Sequence, residues 1–146
     1  MRKFSGTKWL MIAVAAAAGG GDFATGLLLM IAPAWTLSLM RAPAAREPVY
    51  IGFIGCFVCM VGASYLWGLG TWLRSGSSIR LRIVLELTIL FRTTVGAFVL
   101  FHVLLGNLSP PWLSVTATDW FWAATQFALL RSKALQKETG STEGPQ

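Results

Sequence analysis

Apolar residues run through this sequence in four long stretches, separated by short connectors where proline, glycine and charged side chains gather. The stretches cover about 9–32, 49–73, 83–105 and 113–130. Each approaches the 20 or so residues an α-helix needs to cross a hydrocarbon layer about 30 Å thick. The pattern therefore predicts an all-α fold, an integral membrane four-helix bundle over residues 1–132, followed by a polar cytoplasmic tail over 133–146.

The connectors sharpen the boundaries. The first stretch follows Arg2, Lys3 and Lys8 and is stopped by Pro33. A basic start and an apolar run over 9–18 also fit a cleavable signal peptide. The apolar pattern resumes after Asp22 and reaches full spanning length, so an uncleaved first span is expected. Residues 33–48 are rich in alanine and proline, and Trp35, Leu37 and Met40 are expected to line one side of a short helix along the bilayer surface. The second stretch carries Gly52, Gly55, Gly62, Gly68 and Gly70 and ends in a polar loop over 74–78. Gly106 and Asn107 close the third with residue types favoured at helix C-termini. Pro110 and Pro111 then turn the chain into the fourth, where Thr116, Thr118, Asp119 and Gln126 dilute the hydropathy. No internal repeat is apparent, which gives an inverted-repeat transporter little support.

Composition agrees with the pattern: the chain is 55% hydrophobic and 12% charged, outside the range of ordinary soluble domains. A formal charge of +6 would in a soluble protein raise nucleic acid as a partner. Here the basic residues sit at the edges of apolar stretches without a basic, aromatic-interleaved cluster, so no nucleic-acid partner is expected. Arg2, Lys3, Lys8, Arg74, Arg80, Arg82, Arg131, Lys133 and Lys137 flank one side of the expected layer, against Arg41 and Arg46 on the other. The positive-inside rule then places both termini in the cytoplasm. Trp9, Trp67 and Trp72 are expected at the inner interface and Trp35, Trp112, Trp120 and Trp122 at the outer.

Ionisable groups inside spanning helices are costly and therefore informative. Asp22 lies near the middle of the first stretch, on the small-residue face Ala18, Asp22, Gly26. Arg92 lies near the middle of the third, with Thr88 and Gly96 four residues to either side. Both stretches run from inside to outside, so the two groups sit at comparable depth, and an Asp22–Arg92 ion pair is expected. Glu86 is one turn beyond Arg82 and is expected to pair with it. His102, near the outer end, is a candidate interfacial imidazole or an axial ligand to a tetrapyrrole. Asp119 suits the positive end of the fourth helix as a cap, or forms with Ala123 and Gln126 a polar stripe toward His102, a candidate ligand site. Cys56 and Cys59 have the spacing of thiol redox centres and resemble the vitamin K epoxide reductases in that spacing. The second cysteine pair needed to relay electrons is missing, and Gly55, Cys59, Gly62 and Ala63 read as a packing face. No catalytic set and no metal-ligand set is apparent.

The glycine-rich first stretch ending at Pro33, the glycine-rich segment from Gly52 to Gly70, the run Arg92, Thr93, Thr94, Val95, Gly96, and Asp119 followed by Gln126 resemble the small four-helix bacterial membrane proteins grouped as DoxX-like. The resemblance implies a multi-pass protein of the bacterial inner membrane, in some relatives associated with quinone-linked oxidation of sulfur compounds. The expected function is a non-catalytic accessory or structural subunit of a larger energy-transducing or redox membrane complex. Its expected partners are membrane lipids and other membrane subunits, and its expected pocket takes a lipid, a quinone or a tetrapyrrole pigment. The alternatives are a quinone-linked thiol oxidoreductase using Cys56 and Cys59, and a small proton-linked transporter using Asp22.

Overall fold

The computed structural model describes residues 6–131. The expected tail over 133–146, and Arg2, Lys3, Lys133 and Lys137 of the charge count, lie outside the described residues. All regular structure among them is helical: α1 (Gly6–Ile31), α2 (Pro33–Leu39), α3 (Pro48–Ser75), α4 (Ile79–Leu104), a single 3-10 turn (Pro110–Trp112) and α5 (Leu113–Arg131). Three segments among the described residues are long and apolar enough to cross a membrane: Lys8–Ile31, Pro48–Ser75 and Ile79–Leu104. Helix α5 falls short of the expected fourth span by composition, because Thr116, Asp119 and Gln126 lie within its 19 residues.

Local chemistry sets the ends. Proline opens α2 and α3, where its missing N–H costs nothing and its fixed φ suits a first turn. Helix α3 stops at Gly76, whose φ of 75° is left-handed and whose N–H returns to the Trp72 carbonyl at 2.8 Å. A side chain there would strain that conformation. The Gly76 turn sends α4 back along α3.

Successive long helices run antiparallel. Helices α1 and α3 share the most extensive contact and α4 and α5 the next, while α1 barely touches α5. Small residues explain the first contact. A Cβ added at Gly26 would lie 2.6 Å from the Cys59 Cα, one at Gly55 2.7 Å from the Gly26 carbonyl oxygen, and one at Gly62 2.6 Å from the Gly19 carbonyl oxygen. Backbone thus meets backbone, as in small-xxx-small helix pairs. Between α4 and α5 the Trp120 indole lies over Gly96, where an added Cβ would come within 2.7 Å of Trp120 Cδ1. Helix α4 meets α3 where Leu81 and Val84 close over Gly68.

Many large apolar side chains lie on the outside, and a few polar ones are buried. Phe53, Leu87, Leu90, Phe98 and Phe121 are each about 60% exposed or more, whereas Arg92 is 3% exposed and Gln126 fully buried. The apolar core is confined to two patches. One joins Met11, Ala15, Leu69, Trp72, Leu85 and Leu129; the other joins Leu29, Leu37, Ala42 and Ile51.

One expectation is corrected here. Trp35, Leu37 and Met40 do not share one side of α2: Leu37 is buried against Leu29 and Ile51, Met40 packs on the same patch, and Trp35 is exposed. Residues two apart on a helix lie on nearly opposite sides. Trp72 is buried in the first core patch and Trp122 packs against it.

Candidate functional site

At the centre of the four long helices is a polar cluster to which each contributes. Asp22 on α1 lies between Gly19 and Gly26, on the face pressed against α3. Tyr65 on α3 is one turn beyond Gly62 and is fully buried. Arg92 on α4 is flanked by Thr88 and Gly96, and on α5 Asp119 and Gln126 are two turns apart on one face. The small residues around Asp22 and Arg92 let neighbouring backbones come close enough for these side chains to meet.

Arg92 organises the cluster. Its Nη1 donates to Asp119 Oδ1 at 2.7 Å and its Nη2 to Asp22 Oδ2. Its Nε donates to the Tyr65 hydroxyl oxygen at 3.4 Å, and the guanidinium carbon lies 5.9 Å from the Tyr65 ring centroid. The same hydroxyl accepts from Gln126 Nε2. Thr88 Oγ1 lies 3.2 Å from Gln126 Oε1 and bonds back to the Val84 carbonyl at 2.8 Å. One turn away, Thr116 donates to the Gly96 carbonyl at 3.1 Å, tying α5 to α4. The planar guanidinium thus sends one nitrogen to each of two carboxylates on different helices, a task a lysine ammonium cannot do with the same geometry. The Arg92 side chain is 4% exposed and those of Asp22 and Asp119 are 17% and 16% exposed.

Tyr65 is where the two networks join, because its oxygen serves both Arg92 and Gln126. Tyr65→Phe keeps the ring and removes that acceptor, leaving two buried donors short of a partner. An unsatisfied buried donor costs about 1–3 kcal/mol. Thermal unfolding of the purified variant is expected to show a loss of that order, and a midpoint equal to wild type would remove Tyr65 from the network.

Asp119 is not a cap. It is the seventh residue of α5, and its carboxylate faces Arg92. Nor do Asp119 and Gln126 form a stripe toward His102, because both turn to Arg92, Tyr65 and Thr88. His102 lies ten residues along α4 from Arg92, roughly 15 Å at the helical rise. Its ring stacks on Phe98 at 4.3 Å, Nδ1 is 3.2 Å from Asn107 Nδ2, and its carbonyl accepts the Asn107 N–H at 2.9 Å. It belongs to the C-terminal wrap of α4.

Glu86 accepts from Arg82 Nε at 2.9 Å on an exposed face. Cys56 and Cys59 are free thiols, Cys56 exposed and Cys59 half-buried against Gly26. No group of three or more His, Cys, Asp or Glu side chains is placed to hold a metal among the described residues. A shallow open groove of about 290 Å³ lies between α4 and α5, lined by Ile89, Thr93, Trp120, Ala123, Ala124 and Phe127.

Sequence reasoning did not single out Tyr65. The signal was present: a mid-helix phenol in an apolar, glycine-rich segment needs a polar partner for its hydroxyl. Comparison with known proteins adds no relative, since no protein-family model, curated protein or solved structure matches the chain.

Proposed function

We propose that the chain is a four-span integral membrane protein, a helical bundle that serves as a non-catalytic subunit of a larger membrane assembly. The observation that carries this reading is the apolar outer surface, with long apolar side chains directed outward along the helices and a guanidinium, a carboxamide and a phenol at the centre. Water would penalise that outer surface at about 25 cal/mol for each Å², whereas lipid tails accept it. Helix α5 fits as the fourth span, because its 19 residues reach about 28 Å and its polar Thr116 and Gln126 are buried. Trp120, Phe121 and Phe127 face outward.

Charge supports an orientation. Lys8, Arg74, Arg80, Arg82 and Arg131 gather where α1 and α4 begin and α3 and α5 end, which becomes the cytoplasmic side. Arg80 lies 5.4 Å over the Trp67 ring and Arg131 4.4 Å over the Phe127 ring, the cation–π pairing that suits side chains of a headgroup zone. The DoxX-like resemblance belongs to this reading and adds a bacterial inner membrane. The α4–α5 groove offers an apolar seat for a lipid or quinone tail.

A subunit role is favoured over an autonomous enzyme because the interior polar groups are occupied with one another. The outer face of α3, with Phe53, Phe57 and Met60 exposed, presents a surface to lipid or to a partner helix. Alkaline carbonate extraction followed by purification in mild detergent tests both parts. The expected result is retention in the membrane pellet and recovery together with a stoichiometric membrane partner. Release into the supernatant would end the membrane reading, and a solitary monomer would end the subunit reading.

A further inference from the structure

The chain contains two aspartates, Asp22 and Asp119, and both converge on Arg92. The charges facing this point from every packed helix can be counted. Helix α1 brings Asp22, α4 brings Arg92, α5 brings Asp119, and α3 brings only the phenol of Tyr65, since 49–73 carries no Asp, Glu, Lys or Arg. The next charged groups, Arg82 and Glu86, are paired with each other on an exposed face. With both carboxyls ionised, one positive charge faces two negative ones, so the centre carries a net negative charge. An uncompensated charge in a water-poor interior is among the most costly groups a fold can hold, and two carboxyls sharing one site avoid ionising together.

We propose that Asp22, Asp119 and Arg92 form a one-proton binding site, with the proton held by the carboxyl on α1 or by that on α5 while the guanidinium stays charged and donates to both. Uptake takes one proton from water and brings the cluster from a net charge of minus one to zero, with no other bond made or broken. The geometry suits such a site. The guanidinium is sealed while each carboxyl keeps about one-sixth of its side-chain surface open. Each carboxylate uses a single oxygen toward Arg92, leaving the other for the proton. Because the proton sits on a group of the α1–α3 pair or of the α4–α5 pair, its occupancy bears on how those pairs are joined.

The inference rests on the membrane placement proposed above, and its test can fail separately from it. Because both aspartates lie in the cluster, labelling the protein with carboxyl-13C aspartate makes the infrared carbonyl region report this site alone. In lipid nanodiscs at neutral pH, we expect one isotope-shifted protonated-carboxyl band per chain, lost at alkaline pH. D22N and D119N each leave one carboxylate for one guanidinium, and each is expected to lose the band while staying folded. Two ionised aspartates at neutral pH in the wild-type protein would overturn the proposal, whatever the variants do. So would disappearance of the band when sodium replaces choline at fixed pH, which would make the site one for an alkali cation. The spectrum reads the same carboxyls in a chain that carbonate releases from the membrane, so the two readings stand or fall apart.

Discussion

Arg92→Met is expected to abolish accumulation of the folded protein at neutral pH. The substitution roughly keeps the volume and removes the cation that two largely buried carboxyls face. Breaking a buried ion pair by deleting one partner costs about 3–5 kcal/mol, a large part of a typical stability of about 5–15 kcal/mol. Here two carboxylates are orphaned by one change, and Tyr65 loses a donor as well. Arg92→Lys is expected to fall between, because an ammonium keeps the charge but cannot send two fixed parallel donors to carboxylates on different helices. The triple variant R92M/D22N/D119N removes all three charges and is expected to recover most of the folded yield, since the penalty lies in the unpaired charge. Acid is expected to rescue R92M in part, because protonating the two carboxyls removes their repulsion, so its stability rises as pH falls. Size-exclusion profiles and unfolding midpoints in one detergent check the series. An R92M midpoint within about 1 kcal/mol of wild type would refute the central role given to this side chain.

Much of the helical plan was legible in the sequence because span length and connector chemistry are encoded along the chain. Helix α3 runs Pro48–Ser75 where the apolar pattern covers 49–73, and α5 runs Leu113–Arg131 where it covers 113–130. Depth was legible too: Asp22 and Arg92 fall at similar distances along helices of the same direction, and they meet. Rotation about the helix axis was the weak point. In a helix apolar on every side, hydropathy does not say which face turns inward, and small residues are the remaining marker. Asp119 suits a cap only where the regular fourth helix begins beside it, since a carboxylate favours the positive dipole end. The 3-10 turn Pro110–Trp112 instead leads directly into α5, six residues upstream. The carboxylate therefore lies inside the helix, free to turn to Arg92. Tyr65 is hard to single out in the sequence because a phenol is neutral and at home in apolar surroundings, while the fold uses it as an acceptor for two donors.

The helices are joined by two different devices. Within the α1–α3 pair, glycines permit backbone contact; within α4–α5, Trp120 covers Gly96. Between the pairs, apolar contact is concentrated where α3 meets α4, and α1 scarcely reaches α5. Arg92 bridges that gap by bonding to α1 and α5 together. In lipid, where apolar surfaces gain little by leaving the solvent, such polar bridges and close small-residue packing carry the association. A fault in the glycine seam should therefore be felt in the polar cluster.

Gly62→Ala tests that coupling, and it has an internal control in Gly70→Ala on the same helix. An added Cβ at Gly62 would lie 2.6 Å from the Gly19 carbonyl oxygen and 2.7 Å from the Phe23 Cα, whereas at Gly70 nothing stands within 4 Å. The atoms at Gly62 are backbone and cannot swing aside, so α1 as a whole must move. Overpacking of this kind costs about 1–3 kcal/mol, while an unobstructed glycine-to-alanine change inside a helix gains about 0.5–1 kcal/mol. Opposite shifts in unfolding midpoint are expected from one chemical change at two places on α3. Phe23 directly follows Asp22, so the displacement at Gly62 also draws the carboxylate away from Arg92. Gly62→Ala should then cost less in a D22N background than in the wild type, a coupling of the size seen for residues that share partners, about 0.5–3 kcal/mol. Strict additivity would mean that the glycine seam and the charged cluster are independent, and equal midpoints for Gly62→Ala and Gly70→Ala would mean that the seam is not tight.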